Sequence, residues 1–293
     1  MAGELITGDW QVEYRGLLLG SGTRFHLAGI EGLDGPAYRS ADIARSRAHG
    51  EVRRGLDFLP GRDITLTIEI SDTGDESYQA AQREFDAIMV PLEDAPGEPL
   101  VVKFPGREAV RVVCAPRAYS RPNDYRYSIG RMAATVAQFH AHDPLVYSNT
   151  EHVDDTTRRQ EGSGFSPPVT APFTLGAAVG GSIGIVNAGN IAAPWTARLD
   201  GPLAYPEITH LELGRRLSLA LVANGGVNLA TGDWIDIDSA ARSVRLNGTA
   251  DRRTQLTVDS EWWDLDPGSN PFQLDADSGD GTLTVTWHDG YLS

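Results

Sequence analysis

The most regular pattern along this chain is alternation. Across Arg62–Ile70, Ile64, Leu66, Ile68 and Ile70 alternate with Asp63, Thr65, Thr67 and Glu69, the period of two with which a strand gives one face to a core and the other to water. The same period runs through Gly232-Asp-Trp-Ile-Asp-Ile-Asp238 and through Ser243–Leu246, and Asn247-Gly248 follows at once. That dipeptide tolerates the positive φ angles of a tight hairpin turn, so consecutive antiparallel strands are predicted. Residues 100–104 and 109–114 flank Pro105-Gly106 as a second hairpin, residues 131–142 read as a strand, and Thr282–Trp287 closes the chain with another. One stretch changes period. Tyr78, Ala81, Phe85, Ile88, Met89 and Leu92 recur at helical spacing, which predicts a helix over residues 75–90 whose apolar stripe covers a sheet. Thr73 and Glu76 are placed for a capping box, and Pro91 for a stop.

With 32 glycines and 17 prolines spread over 293 residues, turns are favoured over long helices and the expected class is mainly β. The length suits two domains, each with a sizeable core. Residues 151–172 are polar and turn-rich, which predicts a linker or arm between a first domain, residues 1–150, and a second, residues 173–293. A formal net charge of −15 disfavours a phosphate-binding surface. It is compatible with a wall that DNA passes without sticking, or with surface acidity that keeps the protein soluble. Cys114 is the single cysteine, so no internal disulfide forms, and its apolar neighbours predict a small buried hydrophobe. Neither a secretory signal nor an apolar run of bilayer length is visible, so synthesis in a cytoplasm without a membrane anchor is expected.

Against this acidity, seven arginines cluster at positions 24, 39, 45, 47, 53, 54 and 62. They form either a solvated loop or an arm that reaches an acidic neighbouring subunit.

Chemistry is sparse. His140 and His142 share a strand face and, with Asp143 or His152, could approach a metal, but the cluster lacks a recognisable ligand spacing. Residues 275–281 fail as a calcium loop, because Gly279 stands at a ligand slot and Asp280 at the glycine slot, and Asp280-Gly281 reads instead as a hairpin turn. No phosphate loop and no nucleophile elbow is present. Asp236 with Asp238, or Glu261 with Asp264, could pair as glycosidase carboxylates, but sequence does not set their separation. No catalytic, cofactor or metal residue is therefore assigned, and an enzyme is not expected. Trp234, Trp262, Trp263 and Trp287 could stack on sugars, although adjacent tryptophans on a strand point to opposite faces, so core packing competes.

Three ordered elements carry a family resemblance. Gly232-Asp-Trp-Ile-Asp-Ile-Asp, Arg242-Ser-Val-Arg-Leu-Asn-Gly and Ser260-Glu-Trp-Trp-Asp-Leu-Asp-Pro-Gly-Ser-Asn resemble the C-terminal domain of distal tail proteins of long-tailed, non-contractile bacteriophages. Phe139-His-Ala-His-Asp-Pro-Leu-Val-Tyr resembles the close of their N-terminal domain, and Asn187-Ala-Gly189 followed by Pro194 and Gly201-Pro202 resembles their C-terminal sandwich. The resemblance implies a tail-tube-like N-terminal β-sandwich with one packed helix and a galectin-like C-terminal β-sandwich. It further implies a virion protein, assembled in the host cytoplasm, whose copies form a ring, usually hexameric, at the tail tip. The ring joins the tail tube protein to the hub and receptor-binding apparatus, meets the tape-measure protein, and lets DNA through its lumen. A carbohydrate-binding adhesin that grips host glycans remains the alternative.

Overall fold

The computed structural model describes residues 2–70, 75–91, 97–121, 135–159, 180–220 and 225–293. They divide into two compact units, Met1–Thr150 with Tyr291–Ser293, and Glu151–Gly290. The chain is mainly β, as its alternation predicts.

The first unit contains β1 (Gln11–Tyr14), β2 (Leu17–Gly20), β3 (Phe25–Glu31), the short ribbon β4 (Ile43–Ala44) and β5 (Glu51–Val52), β6 (Arg62–Ile70), α1 (Asp75–Ile88), β7 (Glu98–Lys103), β8 (Val110–Ser120), β9 (Thr135–Ala141) and β10 (Val146–Ser148). Its main sheet runs β2-β1-β7-β8-β9-β6-β3, and every neighbouring pair is antiparallel. Ile64, Leu66, Ile68 and Ile70 are buried on one face of β6, as their alternation predicts. Burial of four such side chains contributes roughly 1.5–3 kcal/mol each to the core.

The helix lays Tyr78, Ala81, Phe85, Ile88 and Met89 on that core, with the Phe85 ring 6.5 Å from Phe25 and 6.1 Å from Tyr119. It ends at Ile88, just ahead of the predicted stop at Pro91, and Arg15 Nη1 donates to the carbonyls of Ile88 and Val90 at 3.1 and 2.8 Å, a cation beside the helix C-terminus. Leu92 and the capping-box residue Thr73 lie outside the described residues, as do residues 131–134 of the strand expected over 131–142.

The second unit contains β11 (His152–Thr157), β12 (Ser182–Asn187), β13 (Trp195–Asp200), β14 (Leu203–Ala204), β15 (Glu207–His210), β16 (Arg215–Ser218), β17 (Asn228–Leu229), β18 (Trp234–Asp238), β19 (Ser243–Leu246), β20 (Ala250–Asp251), β21 (Gly268–Asp275) and β22 (Thr282–Trp287). Two sheets, β11-β22-β13-β18-β19-β20 and β12-β21-β15-β16, bury their apolar faces in one cluster that holds Trp195, Ile237 and Leu283 from the first and Ile185, Ile208 and Phe272 from the second. This is a sandwich.

Two expectations need correction. The polar stretch read as a linker opens with a strand, since β11 pairs residue for residue with β22 from His152↔Trp287 to Thr157↔Thr282. Val153, Asp155 and Thr157 form an exposed face, and Asp154 on the opposite face is exposed too, so the strand shows no clean alternation. Residues 160–172 of the same stretch lie outside the described residues. The turn at Asp280-Gly281 is not a hairpin turn, because β21 and β22 belong to opposite sheets. Alternation says which face is buried, and both strands satisfy it from opposite sides of one core. Arg158 holds the crossover, donating from Nε to Gly279 O at 2.8 Å and from Nη1 to Ala276 O at 3.0 Å.

Candidate assembly surfaces

The residues that carried the resemblance are architectural. Asn247 (φ 51°) and Gly248 (φ 71°) form a turn with both central angles positive, closed by Thr249 N donating to Leu246 O. Asn247 also accepts from Trp234 N at 2.9 Å and donates to Asp233 Oδ1 at 3.0 Å, so two motifs thirteen residues apart are one network. Its bond to Asp233, with one from the Ala230 amide, holds that carboxyl below its ordinary range.

Asn187 is 1% exposed and donates to Ile191 O (2.9 Å) and Leu265 O (2.8 Å) while accepting from the amides of Gly189 (3.0 Å) and Gly290 (3.2 Å). Gly189 is required beside it because any Cβ there would overlap Gly290 O. Asn270 donates to Asp266 O and Gly268 O and pairs with buried His210, which fixes the Pro-Gly-Ser-Asn turn.

The tryptophans do not form a sugar platform. Trp195, Trp263 and Trp287 are buried, and Trp262 packs on the same core. Trp234 is half-buried with the Arg198 guanidinium 4.6 Å over its ring and its Nε1 bonded to Asp236. Neighbouring Thr196, Arg198, Asp236, Asp238, Ser243 and Arg245 line a groove of about 530 Å³ on the outer face of the six-stranded sheet. Across that face the register sets Asp155, Thr284, Arg198, Asp236, Arg245 and Asp251 in one row. From Arg198 onward the charges alternate in sign, which neutralises the carboxylates in place and leaves Asp236 and Asp238 as wet-face residues. Glu261 pairs with Arg215 at 3.4 Å.

His140 lies 2.6 Å from Asp63, and its ring meets His142 edge-on at 4.9 Å. Asp143 is occupied by the Leu145 amide and the Tyr147 hydroxyl, and His152 belongs to the other unit, paired with Asp289. No group of three metal-ligating side chains forms among the described residues. Cys114 is fully buried, which pushes its thiol pKa up to about 12 and matches the hydrophobic role its neighbours predict.

The arginine-rich segment is the conspicuous surface feature. Between β3 and β6 the chain makes an excursion secured by the Arg39↔Phe58 bridge and the β4–β5 ribbon. Tyr38, Leu56 and Phe58 are 64%, 75% and 57% exposed, and Ile43 and Val52 are also exposed, so this arm has no core of its own. Residues 39–58 carry five arginines against three carboxylates in a chain of formal net charge −15.

Comparison with known proteins follows from these shapes. Residues 188–291 match the family model of the siphovirus-type tail component, C-terminal domain. The likeness is to that domain, and it lies almost entirely within the second unit. Its matched span holds the Asn187-side turn, the Asp233–Asn247 network and the crossover. The fold of the SPP1 Dit protein, described as a hub adsorption apparatus of phages infecting Gram-positive bacteria, is similar with a TM-score of 0.65. That likeness comes at 15% identity and covers 96% of this chain and 99% of that one. A component of the phage p2 baseplate in its activated conformation is similar in two solved forms. With Ca the TM-score is 0.51 at 10% identity, over 94% of this chain and 97% of that one. With Sr the TM-score and identity are the same, over 94% and 96%. No curated protein matches the sequence. At these identities the structural likenesses establish the fold across both units.

Proposed function

We propose that copies of this chain close into a ring, six in number, at the distal end of the tail, and that the arm clamps the adjacent copy. In this reading the first unit continues the tube protein toward the tip, and the ring docks the hub and receptor-binding parts. The tape-measure protein and then DNA occupy the lumen, where an acidic wall repels phosphate and limits sticking. Assembly takes place in the host cytoplasm, and the role is structural, with no catalysis by this chain.

The carrying observation is the arm. It exposes Tyr38, Leu56 and Phe58 and carries its arginines away from an otherwise acidic chain. A second copy offers complementary charge, and burial of the three side chains supplies apolar area that the isolated arm lacks. Arg53→Glu with Arg54→Glu should leave a folded monomer whose ring formation, read by mass photometry and negative-stain electron microscopy, falls at least tenfold in concentration dependence, the equivalent of roughly 1.4 kcal/mol. Rings forming at the wild-type concentration would remove the clamp from the account.

A further inference from the structure

The arm leaves the first unit after Leu33, which is buried in its core, and returns at Arg62, the first residue of β6. Arg62 is only 6% exposed. Its guanidinium donates from Nη1 to Gly32 O at 3.2 Å, across the base of the arm. From Nη2 it donates to Leu292 O at 2.7 Å, in the three residues that rejoin the first unit after the second. The two acceptors are 260 positions apart in the chain, and one planar fork holds both.

The surroundings fix this geometry. Gly32 (φ +90°) lies so close to the Asp63 carbonyl that a Cβ would overlap it, so the arm's outgoing root is pressed against β6. Gly290–Tyr291, β23, pairs with β10, and Tyr291 packs on the first unit's core, so the returning segment is anchored where Arg62 reaches it. Arg62 Nε finds no acceptor among the described residues. A long cation has thus been taken largely out of water, with two carbonyls at hydrogen-bond distance and the charges of Asp143 and Asp34 acting on it without a hydrogen bond, which is costly unless the contacts are needed.

We infer that Arg62 is a positioning residue for ring assembly: it locks both roots of the arm to each other and to the returning strap at Leu292, and so sets the arm's exit from the first unit. This rests on the ring reading above. The strap is then part of the clamp's mounting, and an apolar side chain at position 62 would leave the arm attached but unaimed.

The test uses the full chain with Arg62→Met, which keeps the aliphatic stem, and a second variant ending at Tyr291, which keeps Arg62 and removes its Leu292 acceptor. Amide hydrogen exchange of the monomer is followed by mass spectrometry. Both variants are expected to speed exchange at residues 32–34 by roughly tenfold or more, the loss of a charge-assisted hydrogen bond, with the centre of β6 unchanged. Arg62→Met should also raise the concentration needed for rings about tenfold, with Arg62→Lys between it and wild type. Unchanged exchange at residues 32–34 in both variants would overturn the inference. So would rings at wild-type concentration from Arg62→Met when a chain lacking residues 39–58 forms none. If that arm-deleted chain still forms rings, the clamp reading is what fails, and the positioning role in assembly falls with it, while the exchange data still decide whether Arg62 locks the arm's base.

Discussion

Replacing Asn187 with Ala isolates the hydrogen-bond network that the family-like motif encodes. Four bonds are lost, but Leu265 O keeps the Ala193 amide at 3.0 Å, so the loss falls on the amides of Gly189 and Gly290 and the carbonyl of Ile191. At about 1 kcal/mol for each buried group left without a partner, the expected destabilisation is about 3 kcal/mol. Five of the six tryptophans lie in the second unit, Trp10 being the exception, so urea unfolding followed by tryptophan fluorescence reports that unit. With a urea dependence of about 2 kcal/mol/M, the midpoint should fall by roughly 1.5 M. Asn187→Asp should do no better, since it keeps the acceptor and trades two donors for a buried charge. A midpoint within about 0.5 M of wild type, at unchanged slope, would refute the view that this side chain ties the turns together.

Two glycines should separate strain from collision. Gly248→Ala meets only Asp236 Oδ2, at 4.0 Å, and should cost about 1 kcal/mol for its positive φ. Gly189→Ala collides with backbone and should cost about 3 kcal/mol in the same assay. Cys114 should resist alkylation in the folded chain and react on unfolding, because its thiolate forms only near pH 12. Since burial raises that pKa from 9.0 to about 12, the unfolded chain releases the proton first. This thiol should then lower stability by up to about 1.4 kcal/mol per pH unit across that window, a contribution that Cys114→Ala removes while that of buried Tyr14, also raised by burial, remains.

Much of the fold was legible because alternation is local. β6, β18 and β19 could be drawn from their isoleucines and valines, and Asn247-Gly248 named its own turn. The helix declared itself through Tyr78, Ala81 and Phe85. What stayed hidden was long-range. Nothing in Arg15 announces that it reaches the C-terminal end of α1, and nothing in β21 and β22 says that they belong to opposite sheets. The strand β11 was masked because adjacent Asp154 and Asp155 are exposed on opposite faces, which breaks the alternation. Between β3 and β6 the arginines marked the arm, but the burial of Arg62 among them became visible only with the strap in place. The tryptophans stayed open between core and sugar platform, since sequence counts aromatic residues without showing which are already covered, and the burial of Trp263 and Trp287 fits the core reading.

Because residues 291–293 belong to the first unit, that unit is written in two instalments separated by the whole second sandwich. A polypeptide interrupted anywhere within residues 151–290 would therefore present an unfinished first unit, however well its opening strands had folded. Synthesis order and folding order therefore part company: the opening strands of the first unit leave the ribosome long before the residues that complete it.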